Sequence, residues 1–289
     1  MAAESRWWPA SAKLNLYLHV TGRRADGFHL LDSLVAFSDI GDRLSVAPAP
    51  RLTLDITGPF ARELAQENVQ KNLVWRAAEA LAARLGHTPD VALTLEKNLP
   101  VASGIGGGSS DAAAALKGLA VHWQASLDEA ALCAIAATLG ADVSVCIVAR
   151  PSFFGGIGDE IVPAPQLPPV PLLLVNPGIA LPTAPVFRAR QGAFSAPARF
   201  VTAPASVAAL AALLQERHND LSDAAIGIVP AIGDVLTRLA AQQGALLARM
   251  SGSGATCFAL FETPAAAEAA AASLKMEQPR WWVAAGKLV

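Results

Sequence analysis

The chain has 289 residues, enough for one large domain or two moderate ones with an ample apolar core. Its formal net charge is −2, so nothing indicates nucleic acid or an anionic membrane as a partner. The longest uncharged stretch, residues 161–187, holds eight prolines, which excludes a transmembrane helix there. Three cysteines in apolar runs predict buried thiols, and the N-terminus lacks a signal core, so we expect a cytoplasmic protein.

Strands are predicted first, because apolar and polar side chains alternate through most of residues 11–60. Turn signals at Asp26-Gly27 and Gly41-Asp42 divide this region. The predicted strands are 13–20, 30–37, 43–47 and 52–57. The elements predicted next are a helix at 72–85, a strand at 91–96, a helix at 127–139 capped by Ser126 with Glu129 at the capping-box position, and a strand at 143–148.

The second half of the chain begins with a proline-rich segment, residues 160–185, which is the predicted crossing between two domains. This gives domains 1–160 and 161–289. Beyond the crossing the pattern predicts helices at 207–215, 233–243 and 265–274, and strands at 172–176, 257–261 and 282–284. Because strands and helices mix without strict alternation, the predicted fold class is α+β.

Residues 100–110 are the most informative segment, and they read Pro-Val-Ala-Ser-Gly-Ile-Gly-Gly-Gly-Ser-Ser. Glycine lets the backbone bring its N–H groups close to a ligand, and a helix start favours anions, so this loop predicts a phosphate site. Ser109 or Ser110 is predicted to cap the following helix, with Asp111 complementing its dipole. The loop fits neither a Walker A motif, a Rossmann fingerprint nor a protein kinase. A flexible linker is the alternative, but the flanking strand and helix favour order.

Two charged residues stand in apolar surroundings. Asp142 interrupts the apolar stretch 130–149, where a charge is expected to have a partner or a function. An exposed turn aspartate is the alternative. Lys13 lies in an opening strand that is otherwise nearly free of charge, with a surface lysine as the alternative. Asn15 lies two residues on, so we expect it on the same strand face.

The strand, proline, glycine-rich loop and helix resemble the phosphate loop of the galactose–homoserine–mevalonate–phosphomevalonate (GHMP) kinase superfamily. That pattern, Pro-x-x-x-Gly-Leu-Gly-Ser/Gly-Ser/Gly-Ser, matches from Pro100 to Ser109 with Ile105 for Leu. The resemblance implies a two-domain fold, with an N-terminal domain like ribosomal protein S5 and a C-terminal ferredoxin-like α/β sandwich. It implies ATP and Mg²⁺ as ligands. It also implies that Asp142 is the catalytic aspartate and that Lys13 contacts the acceptor hydroxyl.

The resemblance further assigns nucleotide contacts. A helix start at Asn72 would lie near adenine, and Ser110 would be a contact of Mg²⁺. The second Gly/Ser loop, residues 250–256, would border the phosphate loop and the substrate, through Gly252, Ser253 and Gly254. The residues expected to bind ATP are Pro100, Val101, Ala102, Ser103, Gly104, Ile105, Gly106, Gly107, Gly108, Ser109, Ser110 and Asn72.

Phe28 and His29 narrow the range of possible acceptor substrates. An aromatic ring beside a side chain with two hydrogen-bonding nitrogens suits a flat heteroaromatic ligand. A core aromatic and a surface histidine are the alternative. The motif Arg-x-Asp-Gly-Phe-His resembles a branch of the superfamily that phosphorylates the 2-hydroxyl of a methylerythritol carried on cytidine diphosphate, in the methylerythritol-phosphate route to isoprenoids. There the aromatic and the histidine hold cytosine; the resemblance places Phe187 on the other cytosine face and Asn15 at the substrate. Phe28 replaces a usual Tyr, so stacking survives and a phenolic hydrogen bond is lost.

The resemblance runs in patches from Ser11 to the C-terminus. It departs at Val101-Ala102-Ser103 and at Asp111, which replaces a frequent Asn. Both departures bear on nucleotide affinity. Three alternatives remain: a sister kinase for homoserine, mevalonate or a sugar, an ATP-dependent decarboxylase of the diphosphomevalonate type, and a non-catalytic nucleotide-binding homologue. The expected partners are ATP and a small cytidine-diphosphate substrate, with no nucleic acid and no membrane, and the chain is expected to be a monomer or weak homodimer.

Overall fold

The computed structural model describes residues 6–289. The strands of this part of the chain are β1 (Trp7–Arg23), β2 (His29–Pro48), β3 (Thr53–Thr57), β4 (Val91–Glu96), β5 (Ser152–Gly156), β6 (Glu160–Pro163), β7 (Pro171–Asn176), β8 (Ala245–Met250), β9 (Cys257–Phe261) and β10 (Trp282–Lys287). Its helices are α1 (Ala61–Leu64), α2 (Leu73–Leu85), α3 (Gly107–His122), α4 (Glu129–Leu139), α5 (Ala141–Val148), α6 (Thr183–Ala189), α7 (Val207–Gln215), α8 (Ser222–Ile228), α9 (Ala231–Ala240) and α10 (Pro264–Glu277). The mixed order confirms the α+β class.

The described chain divides into two compact units, each built from segments that are distant in sequence. The first unit contains the chain up to Ala12, Gly41–Val101 and Gly106–Ala149. The second contains Lys13–Ile40, Ala102–Ile105 and Arg150–Val289. These units are defined by packing and not by chain order, and the domain boundary at residue 160 stays a prediction.

The first unit is organised around α3. In this unit β2 pairs antiparallel with β4 from Arg43 to Pro48, and β3 pairs parallel with β4. Helices α2, α4 and α5 pack against α3. Ten of the sixteen residues of α3 are buried, and five of these are alanine, so neighbouring helices approach it closely. The packing on its sides therefore fixes where the first turn of α3 points.

The second unit is built on a four-stranded antiparallel sheet in the order β10-β7-β9-β8. Every residue of β7 and β9 is buried, and helices α9 and α10 contribute to the same core. The first half of β2 also belongs to this unit and pairs with β5 from Leu31 to Val35. A tight turn at Asp26-Gly27 leads into β2, as predicted, and Gly27 adopts a φ of +92°.

The predicted turn at Gly41-Asp42 is wrong, because β2 continues without a break from His29 to Pro48. Gly41 is needed for a different reason. A Cβ at this position would lie 2.5 Å from the carbonyl oxygen of Ala10 and 2.9 Å from the Cα of Ser11. Glycine therefore permits close approach of two backbones inside a strand.

The predicted strand at 143–148 is also wrong, because these residues form most of helix α5. A short apolar run rich in valine does not distinguish a buried strand from a buried helix by periodicity. The segment packs against α3 and α4, and this tertiary contact decides in favour of the helix.

Two predicted helix caps are wrong. Gly106, in the left-handed region at φ +64°, precedes α3 and provides no side-chain cap, while Ser109 and Ser110 lie inside the first turn. Asp128 caps α4 by accepting a hydrogen bond from the N–H of Ala131 at 2.8 Å, in place of Ser126. The elements that the sequence did not predict are α1, β5, β6, α6, α8 and β8.

Most other elements agree closely with the prediction. Strands β4 and β9 and helix α7 have the predicted bounds. The three cysteines are free thiols; Cys146 and Cys257 are buried as expected, whereas Cys133 is only half-buried, so the prediction of a buried thiol is wrong at that position. Among the described residues, no helix combines the length and apolar character that crossing a membrane requires.

Candidate active site

In the first unit, the last part of the predicted phosphate loop, residues 106–110, leads into α3, which begins at Gly107. The first N–H groups of a helix lack partners inside the helix, and the dipole makes this end attractive to anions. A Cβ added to Gly108 would meet only Leu73, at 3.7 Å, so the starts of α3 and α2 lie side by side. Asn72 caps α2 by accepting a hydrogen bond from the N–H of Val74 at 2.9 Å. The residue predicted near adenine is thus a neighbour of the predicted phosphate site.

Ser110 is buried in the first unit. Its hydroxyl donates a hydrogen bond to the carbonyl of Ser11 at 2.6 Å and lies 3.3 Å from the Sγ of Cys146. A hydroxyl that donates its hydrogen still keeps lone pairs for a cation. The contact of Ser110 with Mg²⁺ stays a prediction.

A buried charge cluster lies directly beneath this loop, and the sequence did not reveal it. The ammonium of Lys97 contacts Asp42 and lies 2.8 Å from Oδ2 of Asp111, and all three side chains are at most 4% exposed. The Oδ1 atom of Asp42 accepts hydrogen bonds from the backbone N–H groups of Asn98 and Leu99, at 2.5 and 2.8 Å. Residues 42, 97 and 111 are far apart in sequence, so no local pattern links them.

Burial raises the pKa of Asp111 to about 7, against the opposing effect of Lys97. Burial alone would lower the pKa of Lys97, but the two carboxylates together raise it. The prediction that Asp111 complements the dipole of α3 is wrong, because Asp111 does not lie in the first turn of the helix. It is the fifth residue of the helix and contacts the ammonium of Lys97, which corrects that expectation.

Asp142 lies in the first turn of α5, where the helix start favours a carboxylate. It is half-buried. Helix α5 packs against α3, and Cys146 of α5 touches Ser110 of α3. The first unit therefore brings the helix of the predicted catalytic aspartate against the helix of the predicted phosphate loop.

Lys13 and Asn15 belong to the second unit. Lys13 is only 4% exposed, so the surface-lysine alternative is wrong. Its backbone N–H donates to the carbonyl of Ile105 at 2.9 Å, and its ammonium lies 5.3 Å from the centre of the Phe154 ring. The side chain of Asn15 donates to Ser33 Oγ at 2.8 Å. The pairing of Lys13 with Asp142 stays a prediction.

The second Gly/Ser loop packs, backbone against backbone, on residues 103 and 104 of the first. Gly104 has a φ of +77°, and a Cβ there would lie 2.6 Å from the carbonyl oxygens of Ser251 and Gly254. The Ser251 hydroxyl donates to the carbonyl of Gly104 at 3.1 Å and accepts from the N–H of Asn15, also at 3.1 Å. Hydrogen bonds therefore connect Asn15, the second loop and the first loop.

The other residues of the second loop face different neighbours. A Cβ on Gly252 would lie 3.4 Å from Oδ1 of Asn15. The hydroxyl of Ser253 lies 2.9 Å from that of Thr183, at the start of α6. The side chain of Asn219 donates to the carbonyls of Met250 and Gly252, both at 2.8 Å, and holds the loop in place.

His29 and Phe187 come together in the second unit. Their ring centres are 5.1 Å apart and the planes meet at 29°, a stacked arrangement. Phe28 is 60% exposed, so the alternative of a core aromatic is wrong. Burial, with help from Arg23 and Arg190, lowers the pKa of His29. The imidazole is therefore neutral at pH 7 and offers one donor and one acceptor.

Two family models match the chain on both sides of the proline-rich segment. Residues 72–150 match the N-terminal domain of the GHMP kinases, and residues 203–278 match their C-terminal domain. The chain belongs to the GHMP kinase family, and the two-domain fold predicted from the resemblance is confirmed.

Several relatives that share one name are similar to this chain over nearly its whole length. A protein of Rhodospirillum rubrum called 4-diphosphocytidyl-2-C-methyl-D-erythritol kinase is 52% identical over 288 residues, covering 100% of this chain and 94% of the relative. One of the same name from Paramagnetospirillum magneticum is 49% identical, with 97% of each chain covered.

Solved structures give the same picture at the level of the fold. A crystal structure of 4-(cytidine 5'-diphospho)-2C-methyl-D-erythritol kinase superposes with a TM-score of 0.79 at 36% identity, covering 98% of this chain and 99% of the other. Homoserine kinase from Cytophaga hutchinsonii superposes with a TM-score of 0.74 at 15% identity, covering 100% and 96%. The second likeness shows the fold alone.

Proposed function

We propose that this chain is an ATP-dependent kinase that phosphorylates the 2-hydroxyl of 4-diphosphocytidyl-2-C-methyl-D-erythritol and releases ADP. The observation that carries this proposal is the likeness, at 52% and 49% identity over nearly the whole chain, to relatives of that name. The solved homoserine kinase of the same fold is only 15% identical. Fold alone does not define a substrate, so the choice of acceptor depends on the closer relatives.

The start of α3 would hold the phosphates of ATP. Gly107 and Gly108 present backbone N–H groups without side chains in the way, which suits an oxygen-rich anion. Mg²⁺ when bound would neutralise charge on the phosphates, and it prefers oxygen ligands. The buried hydroxyl of Ser110 is the protein oxygen that we assign to it. Asn72 would lie beside the adenine.

Lys13 and Asp142 would prepare the acceptor. The ammonium of Lys13 would orient the 2-hydroxyl, and the carboxylate of Asp142 would accept its proton. The hydroxyl oxygen then forms a bond to the γ-phosphorus, while the bond to the bridging oxygen breaks and its electron pair leaves with ADP. Proton transfer to a positioned base contributes about 10² to 10⁴ in rate. Holding the reacting groups in line contributes more.

The cytosine would bind at the hairpin end of the second unit. The stacked pair of His29 and Phe187 offers an aromatic surface, and the neutral imidazole offers a donor and an acceptor for the base edge. The exposed ring of Phe28 supplies a second surface without a phenolic hydroxyl. Asn15, Gly252, Ser253 and Gly254 would border the rest of the substrate.

One assay separates this proposal from its rivals. ADP release is followed with equal enzyme and saturating ATP on 4-diphosphocytidyl-2-C-methyl-D-erythritol, homoserine, mevalonate, galactose and diphosphomevalonate. We expect turnover with the cytidylyl alcohol alone, with the new phosphate placed on the 2-oxygen by phosphorus NMR. Faster turnover of another acceptor, or release of CO₂ from diphosphomevalonate, would replace the proposal with that activity.

Variants of the two charged residues test the mechanism. Asp142→Asn should lower kcat by about 10² to 10⁴ and leave nucleotide affinity near that of the parent. Lys13→Met should lower kcat and raise KM for the acceptor. Asp223→Asn is the matched control, because Asp223 is an exposed carboxylate in the first turn of another helix, α8. Near-normal turnover of Asp142→Asn would remove Asp142 from the base role.

Three further expectations accompany the proposal. We expect a cytosolic location, a monomer or weak homodimer, and a domain boundary near residue 160. Sedimentation velocity across a range of concentrations tests the second expectation. Limited proteolysis tests the third, since cleavage in residues 160–170 that leaves two stable fragments would support a boundary there.

A further inference from the structure

The buried cluster of Lys97, Asp42 and Asp111 touches both chain segments that flank the phosphate loop. On one side, Asp42 holds the backbone N–H groups of Asn98 and Leu99, just before Pro100. On the other side, Asp111 belongs to α3, which begins at Gly107. The ammonium of Lys97 joins the two carboxylates. A single buried cation thus connects the segment before the loop to the helix after it.

Lys97 itself is held firmly by its backbone. Its N–H donates to the carbonyl of Thr57 at 2.8 Å, and its carbonyl accepts from the N–H of Phe60 at 3.2 Å. A Cβ on Gly58 would lie 2.6 Å from that same carbonyl oxygen, so the chain crosses Lys97 at close range. The backbone at residue 97 is therefore fixed, and the two carboxylates hold the ammonium at the far end of the side chain.

The cluster is poorly suited to a role in stability alone. Two carboxylates surround one ammonium, and Oδ1 of Asp111 is a buried oxygen with no hydrogen-bond partner among the described residues. Burying such a group costs free energy, and well-packed apolar side chains would often be at least as stable. Polar networks of this kind are better explained by the geometry that they impose.

Gly107 shows what this geometry controls. A Cβ at Gly107 would lie 3.0 Å from Nζ of Lys97 and 3.6 Å from Oδ2 of Asp42. The ammonium therefore lies directly against the first residue of α3, in the space that a side chain would take. A shift of the ammonium would be transmitted to the backbone whose N–H groups face the phosphates.

We propose that Asp42, Lys97 and Asp111 are positioning residues that hold the phosphate loop in the geometry that binds the nucleotide's phosphates. This rests on the proposed function only in that the loop binds ATP. The cluster acts through the backbone of residues 98, 99 and 107 and does not touch the reacting atoms. Loss of the cluster would weaken the binding of ligands that carry phosphates and leave the binding of ligands without phosphates unchanged.

The two carboxylates have different hydrogen-bond roles, and this gives an internal test. Asp42 accepts through both oxygens, one toward the backbone and one toward Lys97. An asparagine there would place an NH₂ group against another donor. Asp111 contacts Lys97 through Oδ2, and its carboxyl group also lies against that of Asp42, so an asparagine can present its oxygen to Lys97 and keep the connection. The same isosteric change should therefore weaken ADP binding at residue 42 and leave it nearly unchanged at residue 111.

The experiment measures the Kd of ADP and of adenosine by calorimetry for the full-length parent, Asp42→Asn and Asp111→Asn. We expect Asp42→Asn to raise the Kd of ADP about tenfold or more, and Asp111→Asn to change it less than about threefold. The Kd of adenosine should stay within about twofold in both. Arg43→Ala is the matched control, because Arg43 and Glu96 are the sequence neighbours of Asp42 and Lys97 and form an ion pair that is more exposed than the cluster.

The outcomes distinguish this inference from the proposed function. Equal effects of the two asparagine variants, or equal losses for ADP and adenosine, would overturn it. If Asp42→Asn does not fold, Asp111→Ala replaces it and should raise the Kd of ADP about tenfold relative to Asp111→Asn. A parent protein that binds ADP but phosphorylates no acceptor would sink the proposed function and leave the positioning role intact.

Discussion

The two Gly/Ser loops of this chain have similar composition and different hydrogen bonding. Residues 251–256 form backbone hydrogen bonds within the loop and to residue 103: the N–H of Ser251 donates to the carbonyl of Thr256 at 2.9 Å, that of Gly254 to Ser251 at 3.0 Å, and that of Thr256 to Ser103 at 3.0 Å. Asn219 also holds the loop from outside. Residues 106–109 open a helix instead, and the first N–H groups of a helix have no partner inside it.

This difference shows that glycine serves two purposes in these loops. At Gly104 and Gly252 the backbones of the two loops meet, and a Cβ on either would lie 2.6 Å from a carbonyl oxygen of the other loop. At Gly108 a Cβ would make only an ordinary contact, 3.7 Å from Leu73. Here the absence of a side chain leaves the space beside the start of α3 open. Glycines of the first kind allow the two backbones to meet, and we expect glycines of the second kind to admit the nucleotide.

The largest effect should follow from breaking the contact between the loops. Gly104→Ala adds a methyl group against two carbonyl oxygens in a backbone at φ +77°, so it should lower the free energy of unfolding by about 3 kcal/mol or more. Thermal and urea unfolding measure this change. Gly192→Ala is the control for the strained φ alone, since it has φ +91° and no neighbour within 4 Å. Similar losses in both would show that backbone strain, and not the contact, is responsible.

Ser251→Ala should have the next largest effect. It removes the donor to the carbonyl of Gly104, in a partly buried hydrogen bond, and the acceptor of the buried Asn15 N–H. Each group left unpaired costs about 1 to 3 kcal/mol. We expect KM for the acceptor to rise as well, because Asn15 would lose its fixed position. Urea titration and steady-state kinetics with the acceptor varied measure both, and Ser251→Thr should restore part of the loss. An unchanged KM for the acceptor would show that Asn15 does not contribute to substrate binding.

Gly108→Ala should have a smaller effect on folding. Its φ is not in the left-handed region, and alanine favours a helix over glycine by about 0.8 to 1 kcal/mol. The unfolding free energy should therefore stay level or rise. A rise in KM for ATP in this stable variant would then report the nucleotide's proximity to residue 108. Unchanged KM values for both ATP and acceptor would place the phosphates elsewhere.

The smallest predicted effect is a shift in the pH dependence of kcat/KM for the acceptor, with no shift for ATP. Arg23 is exposed, and its charge lowers the pKa of His29, so Arg23→Gln should raise that pKa toward its ordinary value. The neutral imidazole is present above its pKa and is lost as pH falls through it. The acid limb of kcat/KM for the cytidylyl substrate should then move to higher pH, while KM for ATP keeps its profile. Arg24→Gln is the control, because Arg24 pairs instead with Asp26.

The local elements of the site were largely predictable. The alternation in β4 and the apolar spacing in α2 gave elements close to those observed, because each pattern reports a face that packs. The glycine-rich loop and the buried lysine of β1 also stood out, since their residue types are unusual in those surroundings. Elements whose structure depends on distant neighbours were harder to predict, and residues 143–148 of α5 were predicted to be a strand.

The charge cluster beneath the loop could not have been found this way. Asp42 looked like a turn residue, and Asp111 looked like a partner of the helix dipole. Their true partner, Lys97, lies 55 and 14 residues away in sequence. Contact between such residues depends on how β2, β4 and α3 pack, and no local period records that packing.

The amino-acid sequence by itself determined the class of fold, the family and the position of the glycine-rich loop before α3, because side-chain spacing and glycine content act locally on the backbone. Only the tertiary structure decided which glycines separate two backbones, which carboxylates share a buried cation and which ring stacks on His29. Those relations join segments that are distant along the chain. They exist only after burial has brought these segments together and made an unpaired charge or a misplaced methyl group costly.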